Sequence, residues 1–177
     1  SEKVLAMLEH LWNGWRAAYV QQWSENAGTP AVPLKGSVFT QILNSGLSDD
    51  ESHIVHRGTT CFAIMNAFPY ASGHLLILPH REVADLEDLS VEETQELWAT
   101  VTTAAQVVKS VYQPQGLNVG INLGPPTGGS VSQHLHVHVV PRWIGDANFM
   151  TSVANAKTIS EPLNETAARI RHAWTNC

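Results

Sequence analysis

Positive charge is scarce in this chain. Lys and Arg number 10 in 177 residues against 16 Asp and Glu, a net charge of −6 with neutral histidines. Nonspecific contact with a nucleic-acid backbone needs a basic surface, so no nucleic-acid partner is expected. A polyphosphate ligand would have to be held by local donors and not by the global field. Cysteine is as sparse: Cys61, in an apolar stretch, and Cys177 build neither a disulfide framework nor a C-x-x-C zinc clip, which fits a reducing compartment. No apolar run nears the ~18 residues of a membrane span, and no charged-then-apolar start marks a signal peptide. The expectation is a cytoplasmic protein without a membrane partner. Repeats and low-complexity tracts are absent, and 44% hydrophobic with 15% charged residues is the composition of a globular domain.

Histidine, by contrast, is concentrated. Gln133-His134-Leu135-His136-Val137-His138-Val139-Val140-Pro141-Arg142 alternates imidazoles with aliphatic residues, and a period of two belongs to a β-strand. The spacing predicts one extended segment with Leu135, Val137 and Val139 turned to the core. The three imidazoles then share the other face, neighbours about 6.5–7 Å apart. A lone strand histidine is ordinarily a satisfied structural residue. Three on one face would be costly as cations unless something anionic or metallic sat over them. Two chemistries remain open: a nucleophile and proton donor for phosphate chemistry, or a three-histidine metal site. The metal reading is the weaker, because the outer pair starts about 13 Å apart, too far to converge on one tetrahedral ion.

Leu5, Leu8, Trp12, Trp15, Tyr19 and Trp23 recur at spacings of three and four, predicting an amphipathic N-terminal helix that packs on the domain or on a second subunit. A loop over 26–36 follows. Ser37–Leu43 reads as one or two helical turns, Asn44–Ser52 as a polar turn, and Ile54–Arg57 with Thr60–Met65 as a hairpin joined at Gly58. Asn66–Gly73 is a loop, and His74–Pro79 a buried strand closed by proline. Ser90 and Glu93 form a capping box opening a helix to about Tyr112, with Leu97, Val101, Ala104, Ala105, Val108 and Val111 as its apolar face. Leu117–Asn122 is a further strand, 123–132 a glycine-rich loop, and Glu161–Trp174 a last helix. The chain divides into an N-terminal extension over 1–36, a central domain over 37–150 and a helical tail over 151–177. Strands joined by short turns, with helices between or outside them, predict an α+β fold with a mainly antiparallel sheet.

His134-Leu135-His136-Val137-His138-Val139-Val140-Pro141, preceded by Asn66, Pro69 and Gly73-His74 in an N-x-x-P-x-x-x-G-H pattern, resembles the histidine triad (HIT) superfamily of nucleotide hydrolases and transferases. Gly128-Gly129-Ser130 and Pro141-Arg142-Trp143 with 145–149 look most like its bacterial diadenosine tetraphosphate phosphorylase branch. The resemblance implies a HIT-like fold, a mainly antiparallel five-stranded sheet with flanking helices, to which the N-terminal helix is extra. It implies that His136 attacks the α-phosphorus to form a nucleotidyl-histidine, splitting one hard displacement into two. His134 and His138 would flank the phosphate and donate hydrogen bonds to it, and His74 would support the first triad member from the neighbouring strand. Asn66 would bind ribose, while Val38, Phe39, Ile42 and Ile64 would line the base pocket. From their own pattern these four apolar residues read as core.

Two glycines before a strand are usually a turn, yet successive backbone N–H groups also form an anion-holding concavity, which makes Gly128, Gly129 and Ser130 candidate phosphate contacts. Asn122 is another. Many hydrolase members carry glutamine where this chain has Ser130. The space left by a shorter hydroxyl predicts that inorganic phosphate, as co-substrate, attacks the intermediate to give ADP and ATP. HIT members with structural zinc use a C-x-x-C pair, whose place is taken here by Ser37 and Thr40, and a histidine that appears here as Glu82. No zinc and no covalently bound cofactor are expected; magnesium could accompany the substrate. The family implies a homodimer, or something larger if the tryptophan-rich helix joins in. The competing functions are hydrolysis of dinucleoside polyphosphates or nucleoside phosphoramidates, and a non-catalytic module that binds adenine nucleotides.

Overall fold

A computed structural model describes residues 36–124, 127, 131–146 and 161–176. The expected helix over Leu5–Trp23, the Gly128-Gly129-Ser130 turn and the stretch 147–160 lie outside the described residues. Five strands, β1 (Ile54–Arg57), β2 (Cys61–Met65), β3 (Leu75–Pro79), β4 (Gly116–Ile121) and β5 (Val137–Arg142), form one sheet in the order β1-β2-β3-β5-β4. Every neighbouring pair is antiparallel. The apolar runs of β2 and β3 are buried along their whole length because both faces of the sheet are covered there.

Helix α1 (Val38–Leu43) is capped by Ser37, and α2 (Asp49–Ser52) by a capping box from Ser48 and Glu51. The capping box at Ser90 opens α3 (Val91–Tyr112), whose buried line is Leu97, Val101, Ala104, Val107 and Val108. Ala105 and Val111, expected on that line, are half-buried, and Val107 replaces them. The α3 line packs on Cys61, Ala63 and Met65 of β2, Leu75 and Ile77 of β3, Val137 and Val139 of β5, and Leu135 just before β5, to make the core. The last helix, α4 (Leu163–Trp174), joins the same core through Ala167 and Ile170. Its Arg171 donates to the carbonyls of Asp49 and Ile54 and pairs with Asp50, and its Trp174 stacks on His56. All described residues belong to a single compact unit spanning 35–146 and 159–177.

Two short elements were not legible in the sequence: α2, inside the expected polar turn, and a 3-10 turn over Leu86–Asp88. A third difference matters more. The histidine segment is not one strand from Gln133; the ladder begins at Val137. Leu135 N–H donates to the carbonyl of Val83, and the carbonyl of His134 is taken by a side chain, so neither is free for a neighbouring strand. The alternation survives. Leu135, Val137 and Val139 enter the core, and the register sets His138 beside Leu76, which faces Ile64, on the opposite side of the sheet from α3.

Candidate active site

The ring of His136 is buried at 7% exposure on the face opposite α3, with Phe39 of α1 tilted against it at a centroid distance of 5.4 Å. Its Nδ1 lies 2.7 Å from the main-chain carbonyl oxygen of His134. A carbonyl only accepts, so Nδ1 must carry the hydrogen, and Nε2 is left with an in-plane lone pair. Among the described residues nothing bonds that Nε2, and it is not one of the sealed, unpaired polar atoms. Burial pushes the His136 pKa below the ordinary imidazole range, which keeps the lone pair unprotonated at neutral pH. The arrangement holds the ring in one tautomer with a single basic nitrogen, Nε2, which is what a nucleophilic role would require.

His138 is set by a chain of donors that starts on the main chain. Tyr70 N–H donates to His74 Nδ1 at 3.0 Å, so His74 carries its hydrogen on Nε2, which donates to His138 Nδ1 at 2.9 Å. His138 therefore holds its own hydrogen on Nε2, facing the site. The Asn122 amide nitrogen lies 3.5 Å from that nitrogen, and since both carry hydrogens the amide can bond it only with its oxygen turned that way. Burial, with the neighbouring His136 as a second cause, pushes the His138 pKa down to about 4, so the ring is neutral with a single proton to donate. The expected support of the first triad member by His74 is corrected: the antiparallel register of β3 and β5 brings His74 to the third member. Tyr70 completes this group, its ring stacked on His138 at 6.0 Å. Sequence reading passed over Tyr70 because its contribution is a main-chain N–H, which no residue type announces.

His134 departs furthest from expectation. It is fully buried, its Nε2 donates to the carbonyl of Pro79 at 2.9 Å, and its Nδ1 meets the Ser37 hydroxyl at 2.6 Å. With both ring nitrogens engaged it has no hydrogen for a phosphate oxygen, so the flanking-donor role is corrected. Its ring instead braces the segment whose carbonyl orients His136. Ser37, Thr40 and Glu82 do converge on it: Glu82 Oε2 accepts from Ser37 N at 2.7 Å and from the Thr40 hydroxyl at 2.8 Å. This donor set does not fit zinc. It offers no thiolate, and its oxygens and imidazole are already bonded to one another. No group of three His, Cys, Asp or Glu converges on a metal position among the described residues.

Of the expected nucleotide contacts, Phe39 lies against the rings of His134 and His136, and Ile42 and Ile64 are buried. Val38 is 40% exposed, as a residue lining an open slot would be. Asn66 is half-buried with its carbonyl accepting from Phe68 N–H and its amide nitrogen 3.3 Å from His74 Nδ1.

Compared with known families, residues 48–143 match the HIT domain. The chain is 42% identical over 172 residues to AP-4-A phosphorylase of Mycobacterium tuberculosis, covering 94% of this chain and 85% of that protein. It is 35% identical over 91 residues to the asymmetrical bis(5'-nucleosyl)-tetraphosphatase of Schizosaccharomyces pombe, covering 51% of this chain and 50% of that one. Among solved structures it resembles a Hit-like protein involved in cell-cycle regulation from Bartonella henselae. The TM-score is 0.61 at 30% identity, over 76% of this chain and 92% of that one.

Proposed function

The chain belongs to the HIT domain family, and from that premise we propose that it transfers a nucleotidyl group from diadenosine tetraphosphate, by way of His136, to inorganic phosphate. In the first step the Nε2 lone pair attacks the α-phosphorus; an N–P bond forms and the P–O bond to the leaving ATP breaks. His138 Nε2–H donates to the departing oxygen. The ring of His136 is cationic in the intermediate, and the His134 carbonyl on its Nδ1–H eases that charge. In the second step a phosphate oxygen attacks the same phosphorus, the N–P bond breaks, and ADP leaves with His136 returned to its starting tautomer. Asn66 would hold ribose and the Val38, Phe39, Ile42 and Ile64 surface the adenine. Gly128, Gly129, Ser130 and Asn122 would hold phosphate, and magnesium would travel with the polyphosphate.

The observation that carries this reading is the free Nε2 of a neutral, buried His136 beside a donor fixed on His138. A purely binding module has no need of either tautomer. The likeness to AP-4-A phosphorylase over nearly the whole chain supports phosphate as the acceptor. The shorter likeness to a tetraphosphatase favours, as a second reading, water in the same position. A cytoplasmic setting and a homodimer go with the proposal, the dimer built along the outer edge of β4, where Val119 is 45% exposed. Product analysis decides between the acceptors. Phosphorolysis gives equal ADP and ATP only when phosphate is supplied, whereas consumption at an undiminished rate without phosphate, yielding AMP and ATP, replaces it with hydrolysis.

A further inference from the structure

Glu82 lies outside the triad, and no described hydrogen bond joins it to His136 or His138, yet it ends a series of hydrogen bonds that, continued through the covalent frame of His134, reaches His136. Its Oε2 receives Ser37 N–H and the Thr40 hydroxyl. The Ser37 hydroxyl accepts from Thr40 N–H at 3.2 Å and has one hydrogen of its own. That hydrogen goes to His134 Nδ1, because His134 Nε2 is the donor to the Pro79 carbonyl. The ring of His134 is thereby clamped between the start of α1 and the end of β3. Its own carbonyl, two bonds along the main chain from that ring's attachment, is what holds His136 Nδ1–H. The backbone around it has little other support, since β5 pairing begins only at Val137 and Leu135 N–H to Val83 is the one main-chain bond of the segment among those described.

The approach of the carboxylate is itself built in. Gly36 sits at a φ of +102°, and a β-carbon there would come within 2.7 Å of Glu82 Oε2. The Glu82 carboxyl is held below its usual range by the Ser37 amide first and the Thr40 hydroxyl second, so the acceptor is ionised throughout the working pH range. Phe39, two residues past Ser37, meets His134 edge-on at 5.6 Å and His136 at 5.4 Å, so the same clamp locates an aromatic wall of the site.

We propose that Glu82 is a positioning residue for nucleotidyl transfer, acting in series through Thr40, Ser37 and the ring of His134 to fix the carbonyl that holds His136 in its attacking tautomer. This rests on the transfer reading above. The test is single-turnover adduct formation on the 177-residue chain with labelled diadenosine tetraphosphate, together with imidazole nitrogen shifts by NMR. Glu82→Ala lowers the rate of adduct formation about 10- to 100-fold, as expected of a small misalignment at a reacting atom, while affinity for AMP is kept. The His136 nitrogens change from a single Nδ1–H tautomer to an averaged mixture. Glu82→Gln, whose amide oxygen can accept both hydrogens, retains rate and tautomer. Ser37→Ala breaks the chain at its other end and gives the same losses, which carries the test should Glu82→Ala fail to fold. In the double variant the losses do not multiply. An unchanged rate and tautomer in both single variants, or losses that multiply, overturns the proposal. If the wild-type protein forms no adduct, the transfer reading falls, and the nitrogen shifts still decide for or against Glu82.

Discussion

At His136 a single main-chain contact decides the chemistry, because the 2.7 Å approach of the His134 carbonyl leaves Nε2 as the only basic nitrogen. Protonation of that nitrogen would end its nucleophilicity, so activity has an acid limb. Burial lowers the pKa of His134, His136 and His138 alike, the last to about 4. The limb in the pH dependence of adduct formation is therefore expected below the ~6.5 of a free imidazole. Stability follows the same sign. With the folded pKa below the unfolded one, the unfolded chain binds more protons between about 6.5 and about 4, so stability is full above that window and falls as pH drops through it. Thermal unfolding midpoints measured from pH 8 to pH 4.5 should fall in this way, and His138→Asn should flatten the slope. A midpoint that rises on acidification contradicts a triad held neutral in the fold.

Between residue and fold stands the loop 66–74, which delivers Tyr70 N–H and His74 to His138. Its last turn depends on Gly73, at φ +84°, where a β-carbon would approach the Tyr112 ring to 2.7 Å. Gly73→Ala meets both a backbone conformation that L-residues disfavour and a packed aromatic of α3. It should destabilise the protein by about 2 kcal/mol in denaturant titrations; a cost near zero would mean that the loop does not depend on this packing. Elements with strong local signals were legible in sequence: the capping box at Ser90, the Gly58 hairpin, the apolar run of β3 and the alternation through Val139 all stand where their patterns put them. The placement of the three imidazoles on the face away from the core was legible for the same reason, while the role of the middle one came from the family resemblance. The partner of His74 was not legible, because which triad member it meets depends on the β3–β5 register, a long-range fact. Nor was the fate of His134, whose engaged nitrogens face a serine hydroxyl and a proline carbonyl distant in sequence.

For the molecule as a whole, charge and proposed substrate have the same sign. The chain carries a net −6, and all five arginines among the described residues are committed to ion pairs, with Asp49, Glu93, Asp146, Glu161 and Asp50. A polyphosphate is then not drawn in by a long-range positive field. On the proposed reading it is recognised at contact, by neutral donors such as His138 Nε2–H, whose attraction acts over a few ångströms. Added salt shortens the Debye length from ~30 Å at 0.01 M to ~8 Å at 0.15 M, which screens long-range repulsion while leaving contact hydrogen bonds largely intact. For an enzyme steered by basic residues, kcat/KM falls steeply over that range. Here kcat/KM for diadenosine tetraphosphate, measured at pH 8 with histidines neutral and magnesium constant, should stay level or rise. A steep fall would mean that a cationic patch, and not local hydrogen bonding, captures the substrate.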